Sequence, residues 1–176
     1  MDNGTMTPKE RFLAAIRNEI PDRVPVAPDI SNYVPARRTG LPFWEIYFYE
    51  QIPLWKAYLE AADYYAMDAW VAPDMSYHIQ YDDNRVETEN KIEYDKARDA
   101  MLRKWIFHTP AGDLTQEETC FREDPPTTNI KPIKNLAQDF EKFKWLLSMP
   151  SGVDQAALQL VRGECARRNY AFGVTV

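Results

Sequence analysis

Cysteine and histidine are scarce in this chain: of 176 residues, two are cysteine (Cys120 and Cys165) and two are histidine (His78 and His108). The cysteines lie far apart, and no CxxC, HxH, HxC or HExxH spacing occurs. That argues against a disulfide scaffold and against a zinc centre built from this chain alone. Basic charge is in deficit too, with 21 Lys and Arg against 27 Asp and Glu for a net charge of −6. No global field gathers nucleic acid or an anionic membrane, so a polyanionic ligand needs a local basic pocket. Long apolar runs are also missing. Nothing approaches the roughly 20 consecutive apolar residues of a membrane span, and the opening Met1 to Arg11 is polar and interrupted by Pro8. The expectation is a cytoplasmic chain with no nucleic-acid and no membrane partner.

What is present suits one sizeable core, with 45% hydrophobic and 13% aromatic residues and an ordinary charged fraction. Thr7, Pro8 and Glu10 spell a capping box with proline at the first helical position. The helix that follows carries Phe12, Leu13, Ile16 and Ile20 as its apolar stripe and stops at Pro21. Arg23 to Ala27 then reads as a short buried strand, with Pro25 placing it at an edge, a bulge or a barrel start. Ser31 to Gly40 is a loop or short helix beyond that strand. Pro42 to Tyr65 holds a short and a long helix, the latter with Ile52, Trp55, Leu59 and Ala62 at helical intervals. Ala69 to Ala72 is a second short strand.

From Arg85 to Tyr94 the period changes to two, with one wholly charged face, which predicts a half-solvated antiparallel strand. Met101 to His108 and Leu114 to Phe121 continue it into a meander, inserted at about 85–122. The proline-rich stretch at Pro125, Pro126 and Pro132 returns the chain to helices. Asn135 with Gln138 caps one helix, with Leu136, Phe140, Phe143 and Leu147 on one face. Ser151 with Asp154 starts another, with Leu158, Val161 and Cys165 inward. Tyr170 to Val176 is a further β-prone run. This order predicts an α/β fold, a partial (β/α)8 TIM-type barrel with an inserted antiparallel β-meander, truncated after about the third barrel strand. The alternative is a small three-layer α+β domain with the last strand at a sheet centre.

Several segments carry a resemblance. Met6-Thr7-Pro8-Lys9-Glu10-Arg11-Phe12-Leu13-Ala14-Ala15-Ile16 followed by Pro21-Asp22-Arg23-Val24-Pro25-Val26 resembles the opening of the uroporphyrinogen decarboxylase superfamily. Asp68-Ala69 leading to Asp74, the turn Thr109-Pro110-Ala111-Gly112-Asp113-Leu114, and Pro132-Ile133-Lys134 ahead of Phe143-Lys144 extend it over nearly the whole chain. The resemblance implies that residues 1–176 are the N-terminal part of a single barrel enzyme whose full-length parent is active and whose isolated fragment is not. Two branches compete. Uroporphyrinogen decarboxylase uses a basic Arg-Gln-x-Gly-Arg loop after the first strand. Here Asp29-Ile30-Ser31-Asn32-Tyr33 takes its place, which weakens the tetrapyrrole reading because the substrate carboxylates need charge-assisted partners. The corrinoid-linked methyltransferase branch is more similar in its meander and turn. It implies a small-molecule or corrinoid-protein substrate and a homodimer, with no cofactor bound by this segment and zinc held by residues beyond 176. A non-catalytic interaction module is the alternative of another class.

Among individual residues, Asp74 is the catalytic candidate, matching in position the family's aspartate after the second strand. Asp29 also follows a strand, where a carboxylate can bind a cation, move a proton or cap the next helix. Asn32 and Tyr33 complete the substrate-binding candidates of the first loop. Arg37 and Arg38 suit a carboxylate or phosphate, or else a solvated pair. Tyr77 and His78 are candidates at the second strand's end, for a pocket mouth and a proton shuttle against packing and surface roles. His108 is assigned a structural role. The five tryptophans, Trp44, Trp55, Trp70, Trp105 and Trp145, are core or interface anchors.

Overall fold

The computed structural model describes residues 5–72, 79–81, 86–147 and 149–173. In chain order the elements are α1 (Pro8–Ile16), α2 (Tyr33–Arg38), α3 (Phe43–Tyr47), α4 (Leu54–Tyr64), β1 (Trp70–Val71), β2 (Ile79–Tyr81), β3 (Glu87–Asp95), β4 (Ala100–Thr109), β5 (Gly112–Phe121), β6 (Thr127–Ile130), α5 (Leu136–Phe143), β7 (Pro150–Val153), α6 (Gln155–Arg167) and β8 (Ala171–Phe172). A 3-10 turn, Lys144–Leu146, follows α5. The fold is mixed α/β with antiparallel sheet, and the described residues form no closed barrel. Two compact units divide the chain: Met1–Gly40, Ile52–Ile79 and Val153–Val176 make the first, Leu41–Gln51 and Gln80–Gly152 the second.

In the first unit β1 and β8 pair in parallel, Trp70 against Ala171 and Val71 against Phe172. Leu59 and Ala62 of α4 and Val161 and Cys165 of α6 pack with Met67, Ala69, Val71 and Tyr170 into one buried cluster. The α4 and α6 stripes foreseen from periodicity therefore face this core. Trp70 lies on the other side of the pair, 41% exposed, stacked on Phe12 at 6.3 Å between ring centroids.

The capping box of α1 is present, with Thr7 accepting from Glu10 N and Glu10 accepting from Thr7 N. Its burial differs from the expected stripe. Ile16 is 66% and Ile20 92% exposed, whereas Arg11 and Ala14 are buried. The helix ends at Ile16, a turn before Pro21, because Asn18 takes a left-handed φ of 59°, where continued helical pairing is impossible.

Arg11 is buried because carboxylates meet it from two directions. Its guanidinium pairs with Asp22 (Nε to Oδ1, 2.6 Å) and with the wholly buried Asp68. Arg23 pairs with the same Asp68 carboxylate, Nη1 to Oδ2, at 2.8 Å. Asp68 Oδ2 also accepts from Val26 N at 2.8 Å, and Asp68 N donates to Val26 O at 2.8 Å. Arg23 to Ala27 consequently meets Asp68, just ahead of β1, without forming a strand, which corrects the expected first strand. Pro25 and Pro28 have no N–H, and the Val26 N–H goes to a side chain.

The second unit is built on the four-stranded antiparallel sheet β3-β4-β5-β6. Its first three strands are the expected meander, with Glu87 opposite His108 and Arg103 opposite Glu118. The expected starting residue, Arg85, lies outside the described residues. Gly112 follows the Pro110-Ala111 turn at φ 114°, a conformation open to glycine. The fourth strand, β6, occupies the stretch read as a return to helices and pairs with β5 across a bulge at Glu117/Glu118.

α3 docks on this sheet through Phe43 N donating to Arg122 O at 2.9 Å and Trp44 edge-on to Tyr94. Arg103 lies over the Phe48 ring at 4.1 Å while its Nη2 reaches Glu118 at 2.7 Å. α5 has its Asn135 cap, but its apolar residues do not form an inner face, since Leu136, Phe140 and Leu147 are exposed. The buried side chain is Asp139, whose Oδ2 accepts from Lys134 N and Asn135 N, each at 2.9 Å. A short sheet joins β2 to β7, so Ser151 is in a strand and Asp154 alone caps α6. Of the expected run Tyr170 to Val176, Ala171 and Phe172 form β8, and residues 174–176 lie outside the described residues.

Removing one partner of a buried ion pair strands the other, at a cost of about 3–5 kcal/mol. Asp68→Ala is therefore expected to lower unfolding stability by about that amount in chemical denaturation, and Arg11→Ala by a similar amount. A loss below about 1 kcal/mol would contradict the role assigned to this network. The Asp22 carboxyl is held far below its ordinary value of 3.8, chiefly by the Arg11 hydrogen bond. A depressed carboxylate stabilises the fold above its unfolded value and loses that contribution as pH falls. Stability should thus decline below about pH 4, with a shallower decline in Asp22→Asn.

Candidate functional site

The candidate residues that the structure describes gather in the first unit, on the segment after Ala27 and on the helix it leads into. Asp29 Oδ1 accepts from Ser31 N at 2.7 Å, and Ser31 Oγ accepts from Tyr33 N at 3.1 Å. These two side-chain turns, with Ser31 at φ 49°, set the entry to α2. Asp29 therefore shapes the approach to the helix and is not its cap. The cap position is Asn32, which acts through its carbonyl, accepting from Ala36 N at 3.1 Å, with no side-chain capping bond.

α2 buries Pro35 and Ala36 and leaves Tyr33, Arg37 and Arg38 at the surface. Both arginines lie against aromatic rings. Arg37 Nη1 donates to Tyr33 Oη at 3.2 Å, with its guanidinium 5.9 Å from the ring centre. Arg38 lies 3.7 Å above the Tyr64 ring and 5.8 Å from that of Tyr65, and these two rings meet edge to face at 5.0 Å. Stacking of this kind orients the Arg38 guanidinium, whose planar edge suits a carboxylate or phosphate.

Tyr58 joins this group. It packs against the core cluster, and its phenol is shifted upward, first by burial and then by the Asp29 charge. Tyr58, Tyr64 and Tyr65 were not among the residues singled out from the sequence. Tyr58 was accessible to that reading, because Trp55, Tyr58, Leu59 and Ala62 follow the i, i+3, i+4, i+7 pattern. Tyr64 and Tyr65 sit where α4 ends and have no periodic signature.

The candidates Asp74, Tyr77 and His78 lie outside the described residues. Asp29, Asn32, Tyr33, Arg37 and Arg38 thus lie on the segment that enters α2 and on that helix. An exposed carboxylate such as Asp29 can take a proton or bind a cation, and the ring-stacked guanidinium of Arg38 can hold an anion.

Other reactive side chains are engaged elsewhere. Burial pushes the Cys120 thiol up to about 12 and the Cys165 thiol up to about 11, so neither is a thiolate near neutrality. Cys120 Sγ is directed at the carbonyls of Phe121 and Asp124. Among the described residues, no group of three or more His, Cys, Asp and Glu is placed to hold a metal ion, and no helix is long and apolar enough to cross a membrane. Of the tryptophans, Trp44 is buried in the core, while Trp55, Trp105 and Trp145 are half-buried.

Comparison with protein-family models, curated proteins and solved structures finds no match to this chain.

The exposed Arg38 stack contributes little to stability, so Tyr64→Leu should cost about 1 kcal/mol or less in thermal unfolding. The two thiols should react with an aromatic disulfide reagent at pH 8 at least about tenfold more slowly in the native protein than in denaturant. Equal rates would show that the thiols are not protected by the fold.

Proposed function

We propose that these residues are the N-terminal part of a uroporphyrinogen decarboxylase-like (β/α)-barrel enzyme that transfers a methyl group to or from a corrinoid protein or similar carrier. One observation carries this reading. The three segments that hold the resemblance in the first unit, Glu10-Arg11-Phe12, Asp22-Arg23 and Asp68-Ala69, meet in a single ion network in which Arg11 and Arg23 both pair with Asp68. Residues that define a sequence motif while lying 57 positions apart have a physical reason to occur together when they share one buried contact.

The parallel pairing of β1 with β8, with α6 leading into β8, is the arrangement a barrel wall requires. In this reading the meander is an insertion between barrel units.

In the proposed enzyme, Arg37 and Arg38 bind an anionic group of the substrate, Asp29 holds a cationic or protonated group, Asn32 and Tyr33 line the approach, and Asp74, Tyr77 and His78 complete the site from the second strand's end. Zinc, where the full-length protein uses it to activate a thiolate or related acceptor, is assigned to residues that follow position 176. Decarboxylation of a tetrapyrrole is the lesser reading, because two arginines on α2 are few for a substrate with many carboxylates.

The full-length protein should convert cob(I)alamin to methylcobalamin, read by its visible spectrum, with at least one donor from a panel of methylated amines, alcohols, thiols and methoxyarenes. Arg38→Met should raise KM by about tenfold, the worth of one charge-assisted contact, with a smaller effect on kcat. Release of carbon dioxide from uroporphyrinogen would favour the decarboxylase reading. Absence of both activities from the folded, metal-replete full-length protein would overturn the enzyme proposal.

A further inference from the structure

His108 lies near the end of β4, beside the first residue of β3, and its two ring nitrogens face carboxylates on the strands to either side. Nδ1 is 3.0 Å from Asp113 Oδ1 on β5, and Nε2 is 3.7 Å from Glu89 Oε1 on β3. Glu87 is its direct partner in the β3 to β4 register, and Asp113 its direct partner in the β4 to β5 register. The titratable groups facing the ring among the described residues are therefore Glu87 and Glu89 from β3 and Asp113 from β5.

A neutral imidazole has one donor and one lone pair, and only the imidazolium offers N–H groups to both sides. With the proton present, one positive charge bridges three strands and offsets the repulsion among three carboxylates. Without it, one ring nitrogen turns a lone pair toward a carboxylate, and the carboxylates repel across the sheet. The most exposed partner is β3, which among the described residues is an edge strand of this sheet, and its leading residues are the ones this contact holds.

We propose that His108 is a proton-operated latch on the edge of the antiparallel sheet: protonated, it ties the leading end of β3 to the β4–β5 hairpin, and deprotonated, it lets that end open. Opening uncovers the backbone groups along this end of β4, which are then free to pair with another strand. The surrounding acids shift the ring upward from its ordinary value of 6.5, the Asp113 hydrogen bond most of all. A raised value in the folded state means that the latch is closed at and below about pH 6.5 and is lost as pH rises through the shifted value. The latch thus releases on the neutral to alkaline side.

The test is an NMR titration of the His108 ring together with amide hydrogen exchange, corrected for intrinsic rates, between pH 5.5 and 8.5. The His108 midpoint should lie above 6.5 and fall toward that value in Asp113→Asn and Glu89→Gln. Protection of the amides that join Glu87–Asn90 to Trp105–His108 should drop several-fold across the midpoint, while those joining Glu93–Asp95 to Ala100–Leu102 stay constant. In His108→Gln the leading end should be poorly protected at every pH, with no step. A midpoint at or below 6.5, protection independent of pH, or a step that survives in His108→Gln would overturn the proposal. The far end of the same sheet reports whether any variant has lost the fold.

Discussion

The arrangement of the first unit depends on a carboxylate that is out of reach of water. Asp68 has no exposed surface, and a buried charge is tolerated only when its lone pairs are satisfied and its charge is countered. Arg11, Arg23 and Val26 N supply those partners, and each comes from a different point on the chain. The direction of α1, the path of the extended segment and the start of β1 are thereby tied together through one side chain. A hydrophobic contact could hold three segments together as well, but it would tolerate sliding. The bond directions around a carboxylate do not.

The site candidates inherit this arrangement. Val26 is fixed by Asp68, Asp29 follows three residues later, and the side-chain turns at Asp29 and Ser31 carry the chain into α2. Arg37 and Arg38 are then presented by a short helix whose small residues, Pro35 and Ala36, are buried. The charged residues of this helix are exposed while the residues that anchor it are not.

Much of this was legible in the sequence where the signal was local. The period of two through β3 and the turn between β4 and β5 need only neighbouring residues to declare themselves, and the cap at Thr7 needs only four positions. The failures share a cause. Arg11 occupies an inward position of α1, but its partners lie at positions 22 and 68, so nothing nearby distinguishes it from a solvated arginine. The apolar pattern of α5 suggested an inward face, yet Asp139 turns inward because it closes on backbone N–H groups at 134 and 135. Thr127 to Ile130 carries β-branched residues, but the flanking prolines masked its pairing with β5. Tyr64 and Tyr65 matter through a ring stack with Arg38, which lies on a different helix.

The parallel pair β1 and β8 brings Trp70 to Ala171, about a hundred positions downstream, while the partners within the meander are separated by hairpins. Contacts of short separation close early and at small entropic cost, and distant ones wait. During synthesis, then, the antiparallel sheet can leave the ribosome and assemble while the first unit still lacks β8, the parallel partner of β1, and the helix α6 that packs beside them. Until α6 and β8 emerge, the apolar sides of α4 and β1 have no permanent cover, and over that interval the nascent chain is most exposed to misassociation and most dependent on chaperones.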